Sequence, residues 1–532
     1  MGSSMYPLNS IWSRLSLAVL LLLAPSNMLA STLFKAAVPF GTGSDISTFV
    51  TVGDLNGDGK PDLVIANHGD YLQNNETISV LLGNGDGTFQ AAQTHDFAGV
   101  PNGMALADVD GDGKLDLLVA MCSEPACDGG GLVGVLLGNG DGTFHPLQTY
   151  SSGGDGANAI AVADVNQDGK LDVLVGNSCQ GDDCASPDGI AVLLGNGNGT
   201  FQSPQIFSSG AWLPSSIVVT DVNGDGKLDL LVAHGCNHPL GQGCSDGVVG
   251  VLLGNGNGTF GSAQTFSSGS YFATSLAVAD VNADGKLDLL VADECTNFTN
   301  NQCADKSGIA AVFLGNGDGT FQPPQIYKSG GNSAESISVA DVTGDGKLDL
   351  IVVNGCGQAH RAACSSGGVG VLVGNGDGTF LPAQTSPSGG DEPESGAVAD
   401  INGDSKPDIV VCNTGPVGNV PGPGTVGVLL GKAKYNTSTN LTSGPNPSVV
   451  GQLVTLTASV ASVGPLVPTG SVTFKNGGTV IGSAKVSGGV ARLNTSKLPA
   501  GTLSLTASYN GDVKSAKSTS GIVVQVVNPA GR

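Results

Sequence analysis

Charge is scarce in this 532-residue chain: Asp, Glu, Lys and Arg make up 12% of it, and only 21 residues are Lys or Arg against 45 Asp or Glu. Without a basic stripe, nucleic-acid binding is disfavoured. Aromatic residues are 5%, with 2 tryptophans, so large rings cannot dominate the interior. Beyond residue 30 no apolar run is long enough to span a bilayer as a helix, which argues against an integral membrane segment in the mature chain. Histidine is rare too. The 6 histidines are scattered, and His234 with His238 is the one close pair. Neither a nucleophile beside a base nor a metal with an open position emerges from the residue pattern.

Glycine, by contrast, is abundant at 84 residues, and the apolar residues are mostly Val, Leu, Ile and Ala in short runs. Many short strands joined by tight turns are expected. The length calls for two or more domains, or one repeat array with an appendage. Residues 1–30 read as a secretory signal, with Arg14 ahead of an apolar stretch from Leu17 to Ala24 and small residues near Ala30. Cleavage is placed after Ala30, with cleavage after Ser26 or an uncleaved anchor as alternatives. The expected location is therefore extracellular or periplasmic.

The acidity is not spread evenly. A nine-residue motif, DVNGDGKLD or a close variant, starts at Asp54, Asp108, Asp164, Asp221, Asp280, Asp341 and Asp400, and these seven copies hold 22 of the 45 carboxylates. Recurrence at steps of 54 to 61 residues is the mark of a closed or stacked array. In the fourth copy Asp221, Asn223 and Asp225 alternate, Gly226 allows a left-handed turn, the Lys227 carbonyl can point inward, and Asp229 closes the set. Hard oxygen donors at positions one, three, five, seven and nine suit Ca2+. The corresponding residues are Asp54, Asn56, Asp58, Lys60 and Asp62 in the first copy, and Asp108, Asp110, Asp112, Lys114 and Asp116 in the second. The third has Asp164, Asn166, Asp168, Lys170 and Asp172, and the fifth Asp280, Asn282, Asp284, Lys286 and Asp288. The sixth has Asp341, Thr343, Asp345, Lys347 and Asp349, and the seventh Asp400, Asn402, Asp404, Lys406 and Asp408. Up to seven structural Ca2+ ions are expected, which would bring the formal charge from −24 to about −10.

Three departures stand out. Thr343 keeps an oxygen at position three but donates more weakly, and Ser405 replaces the position-six glycine, which makes the seventh site the weakest. Asp110 adds a carboxylate to the second site. An EF-hand is excluded, because position twelve is apolar at Ile65, Val119 and Val232, where that loop needs a bidentate Glu and flanking helices.

Ten of the 11 cysteines form five local pairs, each at the same place in its repeat: Cys122 with Cys127, Cys179 with Cys184, Cys236 with Cys244, Cys295 with Cys303, and Cys356 with Cys364. Behind an export signal, five disulfides clamping five equivalent loops are expected. Zinc is the weaker alternative, because each pair offers only two thiolates. Cys412 is left over and reads as a buried small apolar residue at a strand end.

The fourth repeat shows the unit. Ser216–Asp221, Leu228–Ala233, Val248–Leu253 and Thr259–Phe266 read as four strands, with the acidic loop between the first two and a GNGNG hairpin turn between the last two. Four antiparallel strands per repeat make one propeller blade. The seventh repeat lacks its fourth strand, while STLFKAAVPF at Ser31–Phe40 precedes the first and aligns with Thr88–Phe97. A chain that opens with the strand its last blade lacks closes a ring. The fold class expected for residues 31–433 is an all-β, seven-bladed propeller of four-stranded blades. Residues 434–532 carry alternating segments at Leu453–Val460, Gly470–Phe474, Val490–Leu493, Thr502–Tyr509 and Ile522–Val527, the pattern of an Ig-like β-sandwich.

The motif DxNxDGKxD, followed by a strand and then LLGNGDGTF, resembles the FG-GAP or VCBS repeat also found in the head of integrin alpha chains and in many bacterial exported proteins. That resemblance covers about residues 31–433 and implies a seven-bladed propeller with Ca2+ in the loops joining the first and second strands. PTGSVTF at Pro468–Phe474, LPAG at Leu498–Gly501 and SYNGD at Ser508–Asp512 resemble bacterial Ig-like domains.

If the acidic loops occupy one end of the propeller, the cysteine loops and inter-blade connections emerge at the other, the candidate binding face. It carries Trp212, with Tyr271 and Phe272 at the equivalent place in the next blade. These rings suit stacking on a sugar or packing on a protein, and equally suit plugging the gap between blades. The expected function is a secreted calcium-binding protein that adheres to glycans or extracellular proteins. An exported lyase or hydrolase acting on carbohydrate, or a structural envelope component, is the alternative.

Overall fold

The computed structural model describes residues 33–432 and 437–531, apart from residue 45 and the segments 69–75, 124–129, 179–188, 239–245, 296–297, 300–301, 304–306, 356–366, 415–423, 463–466 and 513–514. The expected signal at residues 1–30 lies outside the described residues. Among the described residues no helix is long and apolar enough to cross a membrane.

Seven four-stranded antiparallel sheets follow one another along the chain. Blade 4 shows the pattern, with strands Trp212–Thr220, Asp229–Cys236, Val248–Leu252 and Gln264–Ser267. The expected first strand is too short by four residues at its start, and the expected fourth strand too long. Its first part is an isolated bridge between Gly254 and Phe260, which lets the chain leave the sheet through the turn and rejoin it at Gln264. Every first strand carries a bulge near its start, as between Pro214 and Ser216.

The second strands explain why the blades stack. Leu63, Val64, Ile65 and Ala66 are all fully buried, because both faces of the strand meet a neighbouring sheet. Leu63 and Ile65 share a core with Val410, Cys412, Val426 and Val428 of blade 7, whereas Val64 and Ala66 pack with Leu117 and Val119 of blade 2. Equivalent clusters lie at each joint between consecutive blades. Burying one such side chain is worth about 1.5–3 kcal/mol, so each joint is a small apolar core of its own.

The seventh sheet takes its fourth strand from the other end of the chain. Val38–Gly41 pairs antiparallel with Thr425–Leu429, and Phe34 bridges Gly431 as Phe89 bridges Gly83 in blade 1. The terminal strand was expected, but its register differs by two residues: Phe34, not Thr32, occupies the place of Phe89, and Val38–Gly41 matches Gln93–Asp96. A two-residue shift keeps the same side chains inward, which is why the alternation alone could not separate the two alignments. Blade 7 meets blade 1 through the contacts used elsewhere. The Val50 N–H donates to the Ser395 hydroxyl at 3.2 Å, as Leu276 does to Ser216 and Ile337 to Ser275 at 3.3 Å.

The C-terminal region forms two further sheets. One contains Thr437–Gly444, Val454–Ser462 and Val490–Thr495; the other contains Ser448–Val449, Val523–Asn528, Gly501–Tyr509, Ser471–Asn476 and Thr479–Lys485. All five expected strands are present, and Thr437–Gly444 and Thr479–Lys485 are additional. Both carry weak alternation, the second because it is an exposed edge strand. Phe474 and Tyr509 fill the core in place of a tryptophan and a disulfide.

Phe34 is 1% exposed in the joint between blades 6 and 7. Truncation by Phe34→Ala is expected to lower the unfolding free energy by about 3–5 kcal/mol, measured by urea denaturation.

Candidate functional site

Each acidic loop joins the first and second strands of its blade, and its geometry starts from position nine. Asp62, Asp116, Asp172, Asp229, Asp288, Asp349 and Asp408 are the first residues of their second strands and are all 0% exposed. Each uses both carboxylate oxygens. In blade 4, Asp229 accepts from the Val222 N–H at 3.0 Å and from the Gly254 N–H at 2.8 Å, so it ties its own loop to the end of the third strand. The pair recurs in the other blades. In blade 6 the loop donor is Thr343, one residue later than elsewhere, which places that departure from the motif in the backbone as well as in the side chain. Burial pushes all seven carboxyls up, Asp349 to about 6, with the position-one and position-five aspartates adding repulsion in six loops and Asp110 with Asp108 doing so in the second.

The remaining loop oxygens face inward along the turn. Asp221 accepts from the N–H groups of Gly224, Asp225 and Gly226 at 2.7, 3.1 and 2.8 Å, and Asn223 accepts from Asp225 at 2.9 Å. Asp225 accepts from the Lys227 backbone at 3.0 Å and its ammonium at 3.1 Å. Such lysine–aspartate pairs occur in loops 1, 2, 3, 4 and 7 at 2.8–3.8 Å and, being half exposed, contribute little to stability. The lysines have a second task that the motif did not reveal. Their stems lie over the turn glycines Gly85, Gly140, Gly197, Gly256, Gly317 and Gly376, where an added Cβ would come within 2.8–3.2 Å of them. In loop 2 the oxygens of Asp108, Asp110 and Asp116 lie within 4.8 Å of one another, a donor set that fits a hard divalent cation.

Left-handed backbone occurs at two places in the loop. Ser405 at position six has φ 63°, as the glycine there elsewhere led one to expect, but Gln167 and Ala283 at position four have φ 62° and 59°. The motif hides the demand at position four, because most copies hold glycine at both places.

The GNGDGTF turns are hairpin connections. Asp86 accepts from the Thr88 N–H and hydroxyl at 3.0 and 2.6 Å, and Asn198 and Asn257 do the same in their turns, so an acceptor is needed and a charge is not. In five of the six such turns the phenylalanine packs edge-on against a ring of the preceding blade: Phe89 on Phe40, Phe201 on Tyr150, Phe260 on Phe207, Phe321 on Phe266 and Phe380 on Tyr327, with centroids 5.3–5.7 Å apart.

At the opposite end of the sheets lie the inter-blade connections and the ends of the second strands. Trp212 opens the first strand of blade 4, half-buried, and its indole N–H is buried without a partner among the described residues. Tyr271 takes the same place in blade 5 but is 7% exposed. Phe272 lies with its ring against Gly235 of blade 4, where a Cβ would sit 2.5 Å from it, and its φ is 58°. The structure thus gives Phe272 a packing contact between blades. Cys122, Cys236 and Cys295 end the second strands of their blades, fully buried; Cys127, Cys179, Cys184, Cys244, Cys356 and Cys364 lie outside the described residues, as does the side chain of Cys303. Cys412 is a free, buried thiol in the core between blades 7 and 1, and burial pushes its pKa up. His234 is buried and His238 exposed, and burial lowers the His234 pKa to about 3, which keeps its ring neutral.

One repeated feature lies outside the acidic motif. Five residues beyond the buried aspartate, the second strands hold Asn67, Met121, Asn177, His234, Asp293, Asn354 and Asn413, all buried. The Asn177 amide donates to the Ser152 carbonyl at 3.1 Å, and His234 faces the backbone of Ser209 and Trp212. In blade 2 both sides turn apolar, Met121 sharing a core with Phe97. The third-strand glycines of the VGVLL segments make room here: a Cβ at Gly250 would sit 2.3 Å from the Ser209 carbonyl oxygen. The signal was present in the sequence as SSG and VGV at constant offsets from the acidic motif.

A seven-bladed propeller with acidic loops gathered at one end of its sheets defines the class. Six stretches, residues 54–119, 108–175, 184–232, 241–291, 302–352 and 359–411, match the FG-GAP-like repeat and together span more than half of the chain, which belongs to that family. Residues 441–528 match the bacterial Ig-like domain (group 3). No curated protein matches the chain. A similar solved structure is that of CoXyl43, a GH43 beta-xylosidase/alpha-arabinofuranosidase from a compost microbial metagenome in complex with xylotriose, in calcium-free form; identity is 12%, with 55% of this chain and 97% of that one covered at a TM-score of 0.31. A likeness of that extent carries no functional argument.

Two substitutions check this geometry. In calcium-free buffer Asp229→Asn turns an amide donor toward a backbone N–H and is expected to cost about 1–3 kcal/mol by chemical denaturation. Ser405→Gly relieves the left-handed backbone and is expected to stabilise by up to about 1 kcal/mol in the same assay.

Proposed function

We propose that the chain is an exported, calcium-stapled propeller that binds a glycan or an extracellular protein through the face opposite its acidic loops. The observation that carries the calcium part is the convergence of Asp108, Asp110 and Asp116, in a loop whose pattern of alternating oxygen donors recurs seven times. Residues one, three, five and nine of each loop would hold the ion by their side chains and residue seven by its carbonyl. Carboxylates held together repel one another, and a divalent ion turns that repulsion into a cross-link between the first and second strands. Disulfides from Cys122, Cys236 and Cys295 to the cysteines that follow them would clamp the loops of the opposite face, and an export signal at residues 1–30 would bring the chain to an oxidising compartment where both ions and disulfides persist.

The binding part rests on Trp212, the one tryptophan beyond the signal, on the face where loops emerge. Its ring would stack on a sugar or fill a hollow in a protein partner.

Elemental analysis of the dialysed protein is expected to find several calcium ions per chain, and chelation to lower the melting temperature by well over 5 degrees. An unchanged melt with no bound calcium would remove the calcium reading. On a glycan array, binding that disappears in Trp212→Ala while the melt is unchanged supports recognition through that ring. Release of product from a polysaccharide panel would instead indicate an enzyme.

A further inference from the structure

Asparagine occupies the buried position at the end of the second strand in four of the seven blades, at Asn67, Asn177, Asn354 and Asn413. An amide can donate and accept at once. In blade 6 Asn354 accepts from the Ser329 hydroxyl and donates to the Ser329 carbonyl at 3.5 Å and the Val352 carbonyl at 3.1 Å, fastening the connection from blade 5. Blade 5 has Asp293 in this place, and Ser268 where blade 6 has Ser329. The two nodes share an outline, although the Asp293 oxygens, unlike Asn354 Oδ1, have no hydrogen-bond partner within bonding distance among the described residues. A Cβ on Gly308 would lie 3.0 Å from Asn354 Oδ1 and 2.5 Å from Ser329 Oγ; one on Gly247 would lie 3.0 Å from Asp293 Oδ1 and 2.7 Å from Ser268 Oγ. Aspartic acid has the shape of asparagine. Only its protonated form has a hydrogen to donate, and its ionised form is a charge in a fully buried site.

The groups around Asp293 offset that charge only in part: the Ser268 and Ser270 hydroxyls favour the carboxylate, but burial outweighs them. Asp246, at the approach to the third strand of blade 4, repels it, and the connection between the blades offers the Ser268 and Ser270 hydroxyls. Glu294 follows it in the strand, and the charge of Glu294 acts on Tyr271. No cation faces it among the described residues.

We propose that Asp293 is a proton-operated latch between blades 4 and 5: uncharged, it has a hydrogen to give to the connection as the amides of Asn177 and Asn354 do in blades 3 and 6, and as a buried carboxylate it loses that hydrogen and the joint loosens. Burial, with Asp246 adding to it, holds this carboxyl at about 7 against an ordinary value of 3.8. Between those values the folded chain keeps a proton that the unfolded chain gives up. The stabilisation is therefore complete below the lower value and is lost as pH rises to the upper one, and local opening follows above it.

The test uses the full chain at fixed, saturating calcium, so that the acidic loops behave alike in every variant. Between pH 5 and 7.5 the melting temperature of the wild type is expected to fall by about 3 degrees more than that of Asp293→Asn. Asn354→Asp is expected to add a further fall of similar size. Amide exchange along Tyr271–Ala279, corrected for its intrinsic pH dependence, is expected to accelerate above pH 7 in the wild type and not in Asp293→Asn. Parallel pH profiles of wild type and Asp293→Asn overturn the proposal, as does an Asn354→Asp chain without added pH dependence. Failure of Asp293→Asn to fold also overturns it, because the proposal requires an amide to serve in this place.

Discussion

The structure depends on one hydrogen-bonded clasp, repeated seven times: a buried aspartate whose two oxygens each accept a backbone N–H from a different part of the blade. One bond holds the acidic loop and the other holds the end of the third strand, so the carboxylate fixes the spacing of three strands at once. The aspartate is costly to bury, and that cost is offset only because the loop and the turn supply donors at fixed positions. The same geometry gathers the half-buried aspartates of position one and the more exposed ones of position five beside it. The acidity of the loop is thus a consequence of the fold before it is a site for an ion.

The apolar joints respond to this arrangement. Once the second strand starts at a buried aspartate, its next residues have to be buried on both faces, and Val, Leu, Ile and Ala without alternation are the outcome. The aromatic pairs and the third-strand glycines then set how closely one blade approaches the next. Blade 2 shows the rule by its exception, since Met121 replaces the polar node where Phe97 replaces the serine. A node can be polar or apolar, but both sides change together.

Much of this was legible in the sequence. The motif with its constant offsets gave the blade, the loop and the turn, because spacing records backbone geometry directly. The displaced strand at Val38–Gly41 was visible as a surplus at one end and a deficit at the other. What could not be read was anything set by contact across blades. The clasp joins Asp229 to Gly254, 25 residues on, and neither residue announces a partner. The lysine of position seven was read for its carbonyl, yet its stem covers a glycine of the following turn. Phe272 was read as a ring available to a ligand, and its place against Gly235 depends on a left-handed residue that no composition rule would assign to phenylalanine.

The terminal strand has a consequence for how the molecule comes into being. Thr42 hydrogen-bonds to Gly424, 382 residues away, and the strand beside it waits for Thr425–Leu429 before it has any neighbour to pair with. Intermediate blades can order as they emerge, since each is a local meander. The ring cannot be finished until nearly all of it has been made, and until then its first strand is a loose end and its newest blade an open edge. A propeller built this way is completed by the last strand to arrive, so a truncated chain is never a smaller version of the whole.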